Sequence, residues 1–327
     1  MVAQEIASGG TRSKRPPRVN ALRACFENRS SGRKSALNSQ NTDGEVSRLT
    51  SAATENGIFK HALRQIGGTL LLSSITAFAQ PVKFGITNVT PQRILEFPAQ
   101  LTSTAKWEAS RAGYPGAAFA KGALAVPDGF TPAKSWPILL VSASSGDSPV
   151  RALPQYTNAA LRAGWVVLGA EGPKVKTQQD THTWNQAMLA SVLSHLHKCW
   201  PLSRQWPVVC AGFSGGAKRS GIVAAALMKQ NYHVAGIFMA GCNEDHATAG
   251  LRLYQPGERF KAVPIFLSNG TRDPIAGPEQ QADVKQSLQR EGFKNVRTET
   301  FDGSHRLNSD QLKLALTWFR SQSSPDR

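Results

Sequence analysis

Residues 207–218 read Pro207-Val-Val-Cys-Ala-Gly-Phe-Ser-Gly-Gly-Ala-Lys218. The opening run, Pro207–Ala211, is continuous and apolar, the signature of a strand buried on both faces. From Gly216 to Lys229 the residues suit a helix. Between the two lies Gly212-Phe-Ser-Gly-Gly216, a G-x-S-x-G match. A strand that turns sharply into a helix lifts the central Ser above the sheet edge, and small neighbours relieve the crowding this causes. The helix N-terminus behind it favours developing negative charge. Ser214 is therefore the candidate nucleophile.

The same alternation extends in both directions. Strands are expected at Ala117–Val126, Pro137–Val141, Trp165–Leu168, His233–Ala240, Pro264–Leu267 and Val296–Phe301. Helices are expected at Arg151–Ala163, Thr183–Lys198, Pro278–Glu291 and Ser309–Phe319, the last with Ser309 as its N-cap. Apolar strands alternating with amphipathic helices predict an α/β fold: a doubly wound, mostly parallel sheet with helices on both faces. Residues 81–116 precede the regular pattern and are expected to form edge strands or wrap the base. Cys242–Ala262 shows no helical period and is the expected place for a small insertion over the site.

A Ser hydroxyl needs a base to act at neutral pH, most often a His oriented by a carboxylate. His305 follows a strand, in Phe301-Asp-Gly-Ser-His-Arg306, and precedes the last helix. Loops at the carboxyl ends of strands are where a doubly wound sheet places its ligands. Asp273 sits in a similar loop, Asn269-Gly-Thr-Arg-Asp-Pro274, and is the candidate acid, with Asp245 as rival; Asp302 is too near His305 in sequence to suit. His195 and Cys199, four apart on one helix, could share a metal, but no third ligand is evident. His61, His182, His233 and His246 lack a comparable setting.

The chain order Ser214, Asp273, His305 within this strand–helix series resembles the α/β-hydrolase superfamily over roughly residues 117–321. The motifs that carry the likeness are Gly212–Gly216, Gly270-Thr-Arg-Asp273 and Gly303-Ser-His305. More narrowly, the chain resembles compact secreted esterases of the dienelactone-hydrolase, feruloyl-esterase and polyester-depolymerase kind, with little or no lid. The resemblance implies cleavage of carboxylic esters through an acyl-enzyme, on a small-molecule or polymer-linked ester, with no cofactor and no metal. It also implies an oxyanion hole of two backbone N–H groups. One belongs to Gly215 and the other to the loop Ser142-Ala-Ser-Ser-Gly-Asp147, with Ser144 favoured and Ser145 next. Relatives carry a His-Gly pair where this sequence has Ala143-Ser144. A serine peptidase of related fold and a non-catalytic binding protein on the same fold are the competing readings. Tyr114, Trp184 and segment 242–262 are candidates to line the cleft.

The rest of the sequence bounds the setting. The 327 residues carry a formal net charge of +16. In residues 80–327, however, no basic run exceeds Lys218-Arg219, so a solvated surface is expected rather than a nucleic-acid partner. Residues 1–57 are polar and aperiodic, a composition that buries too little apolar surface to order a chain. Lys60, His61 and Arg64 then precede the uncharged stretch Ile66–Ala79, which ends Ala77-Phe-Ala79 before Gln80. That is the make-up of a signal peptide over 58–79, too short for a stable membrane span. It predicts a secreted or periplasmic chain beginning near Gln80, with translation starting downstream of Met1. The four Cys (25, 199, 210 and 242) contain no C-x-x-C pair, and the three after residue 80 allow at most one bridge.

Overall fold

The computed structural model describes residues 81–144, 147–172 and 181–323, without the side chains of residues 181, 182 and 323. The expected polar segment 1–57 and signal peptide 58–79 lie outside the described residues. A small hairpin of β1 (Lys83–Phe84) and β2 (Thr87–Asn88) opens the fold, followed by β3 (Leu95–Gln100), α1 (Ser103–Arg111) and β4 (Phe119–Ala125). Next come β5 (Ile138–Ser142), α2 (Pro149–Ala152), α3 (Pro154–Arg162), β6 (Val166–Glu171), α4 (Thr181–Cys199), β7 (Val208–Phe213) and α5 (Gly215–Lys229). The chain finishes with β8 (Val234–Ala240), α6 (His246–Tyr254), β9 (Ile265–Gly270), α7 (Pro278–Arg290), β10 (Val296–Phe301) and α8 (Ser309–Ser323).

Strands β3 to β10 form one sheet in the order β10-β9-β8-β7-β5-β6-β4-β3. The six strands from β10 to β6 pair in parallel, while β4 runs antiparallel to both β6 and β3. This is the doubly wound, mostly parallel sheet that the sequence predicts, and β3 supplies the expected edge strand.

Both faces of the central strands are apolar because both are covered. Ile138 and Leu140 of β5 and Val208 and Cys210 of β7 point to the layer of α1, α4, α5, α6 and α7. Leu139, Val141, Val209 and Ala211 point to α2, α3 and α8. The two-residue period of the pleat divides each continuous apolar run between two cores. Burying a Leu or Val in either stabilises the domain by about 1.5–3 kcal/mol.

Three expectations need correction. The helix expected at Arg151–Ala163 starts earlier, at Pro149, and is divided at Leu153: Pro154 has no N–H to continue the first helix and instead starts the second. The segment 242–262 is not an insertion over the site. Asp245 caps a real helix, α6, whose Ala247 and Gly250 lie against Gly221 and Ala225 of α5. The apolar stripe is short and half of it is Ala and Gly, so periodicity did not reveal it. Finally, Asn308 rather than Ser309 caps α8, its Oδ1 accepting from Asp310 N and Gln311 N at 3.0 Å each. Among the described residues, no helix is long and apolar enough to cross a membrane.

Candidate active site

Strand β7 is buried from Val208 to Gly212 and delivers Ser214 to the carboxyl edge of the sheet. There the backbone takes φ 55° and ψ −122°, a conformation natural to Gly and strained for Ser. The turn is held by its main chain. Ser214 N donates to Ala240 O at 2.8 Å, and Ser214 O accepts from Ala217 N at 2.9 Å. Its side chain caps nothing. Two glycines make the turn possible by close approach. A Cβ on Gly212 would lie 2.1 Å from Gly216 O, and one on Gly216 would lie 2.3 Å from Ser142 O. The sequence motif is therefore a packing requirement read along the chain.

Strand register brings the remaining groups to the same edge. Phe213 of β7 pairs with Ala240 of β8, Ala240 with Ser268 of β9, and Gly270 of β9 with Phe301 of β10. The loops after β9 and β10 are stitched together by Thr271 N to Phe301 O and Arg272 N to Gly303 O, each 2.9 Å. Asp273 and His305 meet across this seam, with His305 Nδ1 2.7 Å from Asp273 Oδ2. The other carboxylate oxygen of Asp273 accepts from Ile275 N and Ala276 N at 2.8 Å each. The Asp273 side chain is almost wholly buried. Burial pushes its pKa up, but the hydrogen bonds from Ala276 N, His305 and Ile275 N outweigh this and hold it below the ordinary carboxylate value. Asp273 is thus an anion fixed to orient one ring nitrogen of His305, leaving Nε2 free for a second partner.

The His305 ring packs on Phe213, with centroids 4.6 Å apart. Its Cε1 lies 3.0 Å from where a Gly241 Cβ would stand. Gly241 follows Ala240, whose carbonyl holds Ser214 N. His305 and Ser214 therefore flank one short piece of backbone. Among the described residues no hydrogen bond joins Ser214 Oγ to His305; such contacts often tighten only when substrate binds.

The candidate oxyanion loop lies beside this group because β5 pairs with β7, Ser142 opposite Gly212. Ser144 Oγ donates to Phe213 O at 2.7 Å, tying the loop to the residue before Ser214. Gly215 N belongs to the first turn of α5, where no intrahelical acceptor exists. Ser145, the second candidate in this loop, lies outside the described residues.

The structure disposes of the other candidates. Asp245 spends its carboxylate on capping α6, accepting from Thr248 N at 2.9 Å, from Thr248 Oγ1 at 2.6 Å and from Ser287 Oγ at 2.8 Å. Asp302 pairs with Arg272 at the surface. His195 stacks on Phe97 at 5.2 Å. His197 lies between Ser203 Oγ at 2.7 Å and Tyr232 OH at 3.0 Å, and burial first, then Arg204, push its pKa down to about 4. No metal-ligating cluster occurs among the described residues, and Cys199, Cys210 and Cys242 are unbridged. Trp184 is a core side chain with Tyr114 packed on it at 6.0 Å.

Two supports escaped the sequence reading. Asn269 is buried; its Nδ2 donates to Ala276 O at 2.6 Å and Cys242 O at 3.2 Å, joining the loops after β8 and β9. Gln281 Nε2 donates to Asn269 Oδ1 at 3.3 Å from α7. A polar residue closing an apolar strand was the available signal for Asn269; Gln281 had none.

No protein-family model matches the sequence, and no curated protein does. The fold does have solved counterparts. A bacterial heroin esterase is 15% identical, covering 71% of this chain and 84% of its own, with a TM-score of 0.50. A fluorophosphonate-binding serine hydrolase of Staphylococcus aureus is 14% identical, covering 70% and 99%, at 0.49. A lidless α/β serine hydrolase of Xanthomonas campestris is 18% identical, covering 74% and 100%, at 0.45. The sheet order, together with the likeness to the heroin esterase structure, shows the α/β-hydrolase fold.

Proposed function

We propose that this chain is a serine hydrolase that cleaves carboxylic esters through an acyl-enzyme. The observation that carries the proposal is the pairing of His305 Nδ1 with the buried Asp273 carboxylate at the carboxyl edge of the sheet. Asp273 follows β9 and His305 follows β10, two and three strands along the sheet from β7, which ends at a Ser held in a strained strand-to-helix turn. Fold alone does not specify chemistry; this constellation gives the three roles that acyl transfer needs.

His305 Nε2 takes the proton of Ser214 as Oγ attacks the ester carbonyl. Asp273 holds the ring in the required tautomer and stabilises the imidazolium. The tetrahedral oxyanion accepts hydrogen bonds from Gly215 N and Ser144 N. His305 then gives the proton to the leaving alcohol. Water, deprotonated by the same imidazole, releases the acid and restores Ser214. An ester suits this site because its alcohol leaves readily, and because the heroin esterase of like fold is named for ester cleavage. Secretion, with a mature N-terminus near Gln80, completes the reading.

The test is Ser214→Ala assayed with p-nitrophenyl acetate, beside labelling of the wild type by a fluorophosphonate. The expected result is covalent labelling at Ser214 and turnover reduced at least a thousandfold in the variant. Undiminished turnover by Ser214→Ala refutes the mechanism.

A further inference from the structure

We infer that Arg219 is a positioning residue for the oxyanion hole, acting through the peptide unit between Ala143 and Ser144. The inference rests on the reading of Ser214 as nucleophile and Ser144 N as oxyanion donor.

Arg219 stands on α5, five residues after Ser214. Its Nη1 donates to Ala143 O at 2.7 Å and, more weakly, to Ser144 O at 3.4 Å. The guanidinium is half-buried and no carboxylate pairs with it among the described residues. An arginine held in the protein without an acidic partner and spent on main-chain carbonyls is an unusual use of a charge. The sequence offers no reason for it from local structure, since α5 has no need of a side chain reaching back to the loop after β5.

The peptide unit explains the contact. A trans peptide is planar, with its C=O and N–H pointing in opposite directions. Fixing Ala143 O toward Arg219 therefore fixes Ser144 N–H away from it. The same unit carries both groups, so the arginine sets the direction of the donor without touching substrate. The charge adds a second effect: a cation on the carbonyl oxygen polarises the amide and strengthens its N–H as a donor.

Two further contacts leave this peptide little freedom except rotation. Ser144 Oγ is bonded to Phe213 O at 2.7 Å. Ser142 O sits 2.3 Å from the position a Gly216 Cβ would take, so the strand end already touches α5. The loop is anchored on either side of the Ala143–Ser144 unit, and Arg219 fixes the tilt between the anchors. This accounts for how a loop with Ala143-Ser144, in place of a His-Gly pair, keeps a backbone donor in place: the sequence departs from the relatives' pattern while the helix beside it supplies the restraint.

The experiment compares wild type, Arg219→Met and Arg219→Lys on p-nitrophenyl acetate and on the matching thionoester, with Ser214→Ala as control. A sulfur anion is a poor acceptor, so an intact oxyanion hole favours the ester strongly. For Arg219→Met the expected result is a 10- to 100-fold loss of kcat with KM changed less than threefold. The ester-to-thionoester rate ratio should collapse by a similar factor, and Arg219→Lys should recover part of both. A general loosening of the fold would lower both rates together and leave the ratio alone. If Arg219→Met keeps the wild-type kcat and ratio while Ser214→Ala is inactive, the role of Arg219 is refuted and the serine mechanism stands. If Ser214→Ala remains active, the underlying reading fails instead. Should Arg219→Met not fold, Arg219→Gln, uncharged and shorter, decides: a wild-type kcat and a wild-type ratio in that variant overturn the inference.

Discussion

Replacing Ser214 by Gly and, separately, by Ala separates the cost of its backbone conformation from the chemistry proposed for its hydroxyl. Both variants lose the hydroxyl, and both keep the hydrogen bonds of Ser214 N to Ala240 O and of Ala217 N to the residue-214 carbonyl. The Ser214 side chain makes no capping bond, so its removal costs little folded-state energy in either variant. They differ in the backbone. At φ 55° and ψ −122° a residue with a Cβ carries strain of about 1–3 kcal/mol, which Gly releases. Against this, Gly gives the unfolded chain more freedom, worth about 0.5–1 kcal/mol. The Gly variant is thus expected to be more stable than the Ala variant by about 0.5–2 kcal/mol. For a domain of roughly 150–250 residues that is a rise of about 1–8 °C in Tm. Thermal and urea unfolding of the two inactive proteins measure it directly. A Gly variant less stable than the Ala variant by about 1 kcal/mol shows the ordinary glycine penalty alone, and refutes the claim that the turn stores strain.

Other consequences can be checked alongside it. Asp273→Asn should leave the fold in place yet lower kcat by about 10³–10⁴, because the amide favours the wrong imidazole tautomer; retention of more than a tenth of wild-type kcat argues against the assigned acid. Gly216→Ala, whose Cβ would press on Ser142 O and Ala143, should destabilise the domain by at least about 2 kcal/mol and depress activity together, as urea denaturation and turnover can show. His197 has a folded pKa of about 4 and an unfolded one near 6.5. Between those values the unfolded chain takes up a proton that the folded chain refuses, so stability falls as pH drops through that window and levels off below it. The full shift would be worth about 3 kcal/mol, reduced to about 1–2 by the ring's partial exposure. Urea titrations at pH 7 and pH 4.5 should show this drop in the wild type and a smaller one in His197→Gln. N-terminal sequencing of protein recovered from the medium or periplasm should find Gln80 or a near neighbour; a mature start well before residue 60 rules out the signal segment.

What the sequence revealed and what it hid divide along a physical line. The central strands were legible because burial on both faces leaves continuous apolar runs such as Pro207–Ala211, and Ser214 because its turn demands glycines at fixed spacing. Asp273 and His305 were legible because each lies just past a strand, where register alone determines what they can reach. Helix α6 was missed because it packs through Ala247 and Gly250 against Gly221, and small residues leave no hydrophobic stripe to count. The division of α2 from α3 was written in Pro154 but needed the neighbouring cap, Ser148, to be read with it. The least legible part was the oxyanion loop. A backbone donor has no side-chain signature, so Ser144 was favoured there only by resemblance to relatives, with Ser145 left open. What orients the Ala143–Ser144 peptide is Arg219, seventy-five residues from Ser144 along the chain, on a helix whose own pattern explains nothing about it. In sequence Arg219 was half of a short basic pair on the helix surface. Only the parallel pairing of β5 with β7 brings the loop and the start of α5 together, and that long-range contact gives the arginine something to hold.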